Sequence, residues 1–297
     1  MENQKEYQKK FNACLMETLD NTMKYFEKYG LRYWIAYGSA IGAVRHHGMV
    51  PWDDDIDILM FREDYNKLLS LKEDIKSQGL SFVSHEDEGY YFPFGKVFNN
   101  DTTLWETKRH PFLIGVSIDI FPIDRTNLPR DVIYRTWNKF GKIQYNYLRT
   151  NDKYSFRDIM SLLFNGKFRA LANALKSIVY SINRRRLHDN YIQFEKTLNC
   201  VDGDYYVLYV DKCCDKYIYK KEWFEKTEYV DFENLKVPIP CGNHEILTLC
   251  YGDYMTPPPV SEQTLSHDSL RYYINLKERL TMQEVKERIK QGKKYDY

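Results

Sequence analysis

Three aspartates stand in a pattern that suits phosphate chemistry: Asp55 and Asp57, separated by Ile56, and Asp119, set between Ile118 and Ile120. Side chains alternate faces along a strand, so a period of two puts Asp55 and Asp57 on one face and Ile56 and Ile58 on the other, in the core. Carboxylates about 7 Å apart along one strand cannot both stay charged cheaply unless a cation lies between them. Hard oxygen ligands of this kind suit Mg²⁺ or Mn²⁺, completed by water and substrate phosphates. Asp119 has the same apolar flanks and completes a three-carboxylate metal centre. Upstream, Gly38 lets the backbone approach a ligand closely, and Ser39 adds a hydroxyl at the start of a helical stretch, where phosphate binds favourably. The competing reading makes Asp53 to Asp57 a solvated acidic turn and Asp119 a strand-edge polar residue. The strict apolar interleaving and the Gly-Ser turn just upstream argue against it.

These residues need elements to hold them. Phe11, Leu15, Leu19, Met23 and Phe26 recur every three or four positions, which predicts an amphipathic helix over 6–29 ended by Gly30. Tyr33 to Tyr37 reads as a short strand, followed by the Gly38-Ser39 turn and a helix over 40–45. Pro51 breaks the chain before a strand over 55–60. A helix over 63–78 and strands near 80–84, 91–98 and 116–121 follow. This order predicts an α+β fold, a mixed sheet with helices on one face. Beyond Pro129 the pattern turns helical, over 131–149, 155–165, 167–183 and 184–199. The tail from Cys200 alternates short strands with turns before a last helix over 281–291. No repeat or linker divides the chain, so one unit over 1–297 is expected, with a core sheet about 31–125, a helical segment about 130–200 and a C-terminal part about 200–297.

Composition narrows the class. The net charge of +1 argues against a nucleic-acid binder. Its distribution is uneven: Arg125 to Asn190 holds fourteen Lys and Arg against four Asp, so this stretch is +10 and the remainder −9. Those basic helices, with Leu162, Phe164, Phe168, Leu175 and Ile178 between the charges, either form an amphipathic pair covering the sheet or lie on an anionic membrane surface. The first is the expectation, with Arg184 to Arg186 as a solvated run. Aromatic content of 16%, mostly tyrosine, suits sugar or base sites and equally a tyrosine-rich core. Six cysteines without a C-x-x-C pair read as reduced thiols. With no leader or span visible in the sequence, the protein is expected in the cytoplasm, or at the inner face of the membrane.

The combination Gly38-Ser39, Asp55-Ile-Asp57 and Asp119 resembles the nucleotidyltransferase superfamily. More narrowly, Gly38-Ser-Ala-Ile-Gly-Ala-Val-Arg45, Pro51-Trp-Asp-Asp-Asp-Ile-Asp57 and Ile118-Asp-Ile-Phe-Pro-Ile-Asp124 are similar to the LicD family of phosphocholine transferases, the branch that includes fukutin-like proteins. Phe94-Gly-Lys96, Phe232-Glu-Asn with Val237-Pro-Ile-Pro240, and Tyr251-Gly-Asp-Tyr-Met255 before three prolines extend the resemblance over roughly 31–268.

The resemblance implies a nucleotidyltransferase-like fold of polymerase β type. It implies transfer of a phosphocholine-type group, or a related phosphoethanolamine or phosphonate, from a CDP- or CMP-linked donor to a hydroxyl of a cell-surface glycan precursor, free or lipid-linked, releasing CMP. Mg²⁺ held by Asp55 and Asp57 would neutralise the leaving nucleotide, while Asp119 would bind a second ion or take the hydroxyl proton. Lys96 and Arg45 are the candidates for donor phosphate contacts, each against a structural ion pair with the acids. Asp53 and Asp54 would orient the ligands or hydrogen-bond the turn. His46 and His47 read as surface polar groups, Trp52 as packing and Asp124 as a turn cap. Two rivals remain: transfer of NMP from an NTP by the same acids, and a non-catalytic nucleotide-binding module.

Overall fold

A computed structural model describes residues 2–199, 202–263 and 271–296. The chain runs through α1 (Glu2–Lys28), β1 (Tyr33–Ile35), α2 (Tyr37–Ile41), β2 (Asp57–Phe61), α3 (Arg62–Ser70), β3 (Leu80–Val83), β4 (Gly95–Asn99), β5 (Thr103–Trp105) and β6 (Ser117–Thr126). Next come α4 (Arg130–Leu148), α5 (Phe156–Phe164), α6 (Phe168–Ile182) and α7 (Arg184–Glu195). The remainder comprises β7 (Tyr205–Val207), β8 (Ile218–Lys220), β9 (Thr227–Phe232), β10 (Leu235–Pro240), α8 (Asn243–Tyr251), β11 (Tyr273–Asn275), α9 (Met282–Lys290) and β12 (Tyr295–Asp296).

β6 is the spine of a seven-stranded mixed sheet in the order β1-β2-β6-β4-β3, with β7 pairing β6 and β8 pairing β7. β2 and β6 run parallel, whereas β4 and β7 pair β6 antiparallel. Pro122 sits inside this central strand, where proline usually breaks a ladder. It falls after the pairing with β4 ends at Ile120 and before that with β7 begins at Asp124.

Alternation along β2 and β6 sorts two cores. Ile58, Met60, Ile118 and Ile120 pack with the stripe of α1, namely Tyr7, Phe11, Leu15, Leu19, Met23 and Phe26. Leu59, Phe61, Phe121 and Ile123 belong to a second cluster with Trp34, Tyr206, Tyr219 and Phe224. A third cluster joins α4 and α7 to β7 and β8 through Trp137, Phe140, Tyr147, Tyr191 and Val207.

A buried ion cluster ties the helical segment to the sheet. Arg62, at the start of α3, donates to Asp124 of β6 from Nε and Nη2 (2.7 and 2.9 Å) and from Nη1 to Glu195 Oε1 of α7 (3.0 Å). Asp124 is thus a buried partner of Arg62, and the expected turn cap is not found. Burial pushes the Asp124 carboxyl up despite Arg62. At Glu195 burial acts in the same direction, but Arg62 and His85 outweigh it and bring the carboxyl down to about 2.

Several expectations are corrected. The helix over 63–78 breaks into α3 and a 3₁₀ turn, Asp74–Gln78. The strand expected from Asp55 begins at Asp57, leaving Asp55 in the loop before it. The tail contains α8, which was read as strand and turn. The pair α5 and α6 does not cover the sheet with its apolar stripe; that stripe faces outward. No helix among the described residues is long and apolar enough to cross a membrane.

Candidate active site

The strand register builds a polar row. Asp57 of β2 stands opposite Asp119 of β6, and Asp119 stands opposite Lys96 of β4. By the two-residue period, Asp57 shares a face with Leu59 and Asp119 with Phe121, so the acids lie on the sheet face away from α1. Backbone bonds pin the register: the Ala36 N–H donates to the Asp57 carbonyl and the Asp119 N–H to the Ile56 carbonyl, each at 2.9 Å. The row forms part of a cavity of about 710 Å³ whose lining includes Gly38, Asp53, Asp55, Asp57, Lys96, Glu106 and Asp119. That volume falls within the usual range for small-molecule sites.

Lys96 Nζ donates to Asp119 Oδ1 (2.6 Å), stands 3.2 Å from Glu106 Oε1 and lies over the Phe92 ring at 4.7 Å. Burial works against its charge, but the carboxylates of Asp119 and Glu106 outweigh burial and hold its pKa above the lysine range. It is an ammonium at neutral pH. Burial raises the Asp119 carboxyl to about 6, with Lys96 pulling the other way. Burial and then the neighbouring Asp55 raise Asp53 to about 8; burial and the other acids push Asp57 well above the carboxylate range.

Such a set resists losing its protons without a cation, and all its donors are hard oxygens, so it fits a divalent ion of the Mg²⁺ or Mn²⁺ kind. Asp53, Asp54 and Asp55 bring one carboxylate oxygen each within 4.8 Å of one another, close enough to hold a metal. Of these, Asp54 already has a cationic partner. It is 1% exposed, and Arg271 Nη2 stands 2.9 Å from its Oδ2 and donates to its carbonyl oxygen at 2.8 Å. Arg271 in turn lies over the Phe11 ring at 4.0 Å. Asp54 is thereby tied to Arg271, which packs on α1.

The Gly-Ser turn behaves differently from expectation. A Cβ at Gly38 would meet Asp53 Oδ2, the free end of a side chain and no backbone, so the glycine leaves room for that carboxylate beside the turn. Ser39 is 3% exposed, lies outside the cavity lining, and its Oγ accepts from the Asp57 N–H at 3.0 Å. It clamps the start of β2, where a phosphate contact had been expected. Arg45 also stands outside the lining: Nη1 donates to the Tyr254 carbonyl (2.5 Å) and the guanidinium lies over Trp52 at 5.8 Å. In this structure Arg45 thus serves backbone and ring, apart from the acids.

Several lining residues escaped sequence reasoning. Glu106 completes the Lys96 cluster and accepts from the Tyr91 hydroxyl at 2.8 Å. Tyr37 holds φ at +49°, rare for a residue with a Cβ and a form of strain found at functional sites. Its ring packs on Phe121 and Tyr217, and its buried hydroxyl has no hydrogen-bond partner among the described residues. Asp211, Tyr217, Tyr251 and Arg271 come from remote parts of the chain. Of these, Tyr251 lies in the segment Tyr251 to Met255 on which the family resemblance drew.

Comparison with known proteins adds the decisive observation. Residues 30–162 match the family model LicD/FKTN/FKRP, nucleotidyltransferase domain. This segment belongs to the LicD family. Over 264 residues, 86% of this chain and 95% of the other, the sequence is 27% identical to "Lipopolysaccharide cholinephosphotransferase LicD" of Haemophilus influenzae. It is 42% identical over 153 residues to an uncharacterized protein of Rickettsia typhi, covering 43% of this chain and 48% of that one. A shorter match, 36% over 63 residues, links 20% of this chain to 13% of "Ribitol 5-phosphate transferase FKRP" of Homo sapiens. The chain is an enzyme whose residues 30–162 match this family of transferases. The LicD segment holds Gly38, the acids, Lys96 and Glu106, whereas Asp211, Tyr217, Tyr251 and Arg271 reach the cavity from beyond it.

Proposed function

We propose that the enzyme transfers a substituted phosphate of the phosphocholine type from a CDP- or CMP-linked donor to a hydroxyl of a glycan or lipid-linked glycan, releasing CMP. The observation that carries this reading is the row Asp57, Asp119 and Lys96 across three adjacent strands in the cavity. In this reading the fold is of the nucleotidyltransferase type and the chain acts as one unit, supported by β7 and β8 extending the sheet that bears the acids.

Asp55, Asp57 and Asp119 are assigned to hold Mg²⁺ or Mn²⁺, which when bound neutralises the donor phosphates and the leaving nucleotide. Lys96 offers its ammonium to a donor phosphate oxygen while its bond to Asp119 Oδ1 keeps that carboxylate in place. Asp119 serves as a metal ligand or receives the proton of the attacking hydroxyl. Gly38 admits the acidic loop, and Ser39 holds the Asp57 backbone. The aromatic rings of Tyr37, Phe94, Phe121, Tyr217 and Tyr251 suit a quaternary ammonium, which ring faces attract, and they exclude water from the phosphate.

The test is incubation with CDP-choline, CDP-ethanolamine and other CMP-linked donors, Mg²⁺ and a panel of glycans, read by mass spectrometry. A glycan mass gain equal to one donor's phospho-substituent, with free CMP, is the expected result. Pyrophosphate release from an NTP, with no reaction of any CMP-linked donor, would replace this reading by nucleotidyl transfer.

A further inference from the structure

α6 is turned inside out. A helix packed on a globular protein normally buries its apolar stripe and offers its polar face to water. Here the buried positions are Ala174 and Ser177. Ser177 Oγ accepts from Arg149 Nε at 3.1 Å and donates to Asp152 Oδ2 at 2.9 Å. The apolar stripe, Phe168, Leu175, Ile178, Val179 and Ile182, faces solvent, with Phe168 67% and Ile182 79% exposed. α5 packs against α6 and leaves apolar groups exposed as well. It buries no residue, and Phe156 and Phe164 are 80% and 79% exposed. So many exposed apolar side chains on two touching helices of a folded protein mark a place where something docks.

Charge says what docks. From Lys153 to Arg186 the chain carries eight Lys and Arg and one acid, Asp158, whose carboxylate is spent on capping α5. Arg157, Lys167, Arg169 and Lys176 are exposed and have no ion-pair partner among the described residues. At the far end of α6, Ile182, Arg185 and Arg186 line one surface hollow with a single acid, Asp189, so apolar and mostly cationic groups meet the same partner. A second copy would press two cationic surfaces together. A sheet of anionic headgroups above an apolar layer matches both features at once.

We propose that α5 and α6 seat this enzyme on the surface of an anionic lipid bilayer, Phe156, Phe164, Phe168 and Ile182 entering the acyl boundary and the basic side chains meeting headgroup phosphates. The docking face connects to the cavity through packed groups. Asp152, which accepts from Ser177, also bonds His110 Nε2 at 2.7 Å, and the His110 ring stacks on Tyr91 at 3.9 Å and 12°. Tyr91 lines the cavity. An acceptor anchored in the bilayer would thus be presented near the acids, although the docking itself does not depend on which group is transferred.

The test uses the full chain and sedimentation with vesicles of phosphatidylcholine, alone or mixed with phosphatidylglycerol. Binding to the mixed vesicles and little to the neutral ones is expected. Arg185→Ala and Arg186→Ala should each weaken it about fivefold, and Phe164→Ser and Ile182→Ser by roughly tenfold each. Circular dichroism should be unchanged in all four variants, because these side chains are exposed. No binding to phosphatidylglycerol vesicles overturns the proposal. So does binding that all four variants retain, or a dimer in analytical ultracentrifugation that Phe164→Ser dissociates while vesicle affinity stays the same.

Discussion

Asp57 and Asp119 stand opposite each other in the parallel pair that joins β2 to β6, so the sheet itself, rather than a flexible loop, sets their spacing. Both carboxyls are raised, by burial first and then at Asp57 by its acidic neighbours. Acids crowded in this way repel one another unless a cation lies among them.

Removing one of these acids should therefore abolish activity without harming the fold. For Asp57→Asn, transfer is expected to fall by about three orders of magnitude or more, because the ion loses a ligand. The melting temperature in EDTA should match or exceed that of the parent, since one buried, repelled carboxyl has gone. Added Mn²⁺ should stabilise the parent, by about 2.7 kcal/mol at a hundred times its dissociation constant, and the variant far less. A variant that melts early in EDTA and responds normally to Mn²⁺ would place the ion elsewhere.

Gly38 and Asp53 form the next coupled pair. A methyl group at Gly38 would occupy the space of Asp53 Oδ2. Gly38→Ala should push the Asp53 carboxylate aside and cost up to about 1 kcal/mol, the low end of overpacking, because the clash is with a side-chain tip and not with backbone. The double variant Gly38→Ala/Asp53→Ala should regain most of that stability, as thermal unfolding would record. Equal destabilisation in single and double variants would mean that the turn is strained for another reason.

The alternation that sets Asp57 and Asp119 opposite their buried isoleucine neighbours was legible in the sequence because it is local. Ile56 and Ile58 are buried on the side opposite Asp57, as the two-residue period requires. Ser39 and Arg45 were misread for a shared reason. A residue type announces what it can bind, but whether it faces ligand or backbone depends on partners distant in sequence, here Asp57 for Ser39 and Tyr254 for Arg45. Arg271 and Asp211 carry no local pattern at all and reach the cavity only once the chain has folded. The apolar stripe of α6 was read correctly as a stripe. Its direction was not readable, because periodicity fixes which residues share a face and says nothing of what that face meets.

Ser39 offers a direct check on that reassignment. Ser39→Ala leaves the part-buried Asp57 N–H without its acceptor, which should destabilise the fold by about 1 kcal/mol. If the hydroxyl serves the backbone, turnover drops as Asp57 loses its hold while the KM for the donor changes little. A large rise in KM with unchanged melting temperature would return Ser39 to the role of phosphate ligand.

Arg62 tests what holds the helical segment to the catalytic sheet. Its guanidinium is 4% exposed and answers two carboxylates, Asp124 on β6 and Glu195 at the end of α7. Arg62→Ala strands both acids in a site that water reaches poorly, and breaking a buried pair from one side costs about 3–5 kcal/mol. Glu195 lies at about 2 only because Arg62 and His85 outweigh burial, so without Arg62 its carboxyl should rise steeply. The triple variant Arg62→Met/Asp124→Leu/Glu195→Leu removes the charges together and should recover most of the loss in urea unfolding, since apolar replacements of a buried ion cluster are often neutral. If the triple variant were as unstable as Arg62→Ala, the deficit would come from lost packing of Arg62 against Tyr65, 5.4 Å from its guanidinium carbon to the ring centre, rather than from unpaired charge.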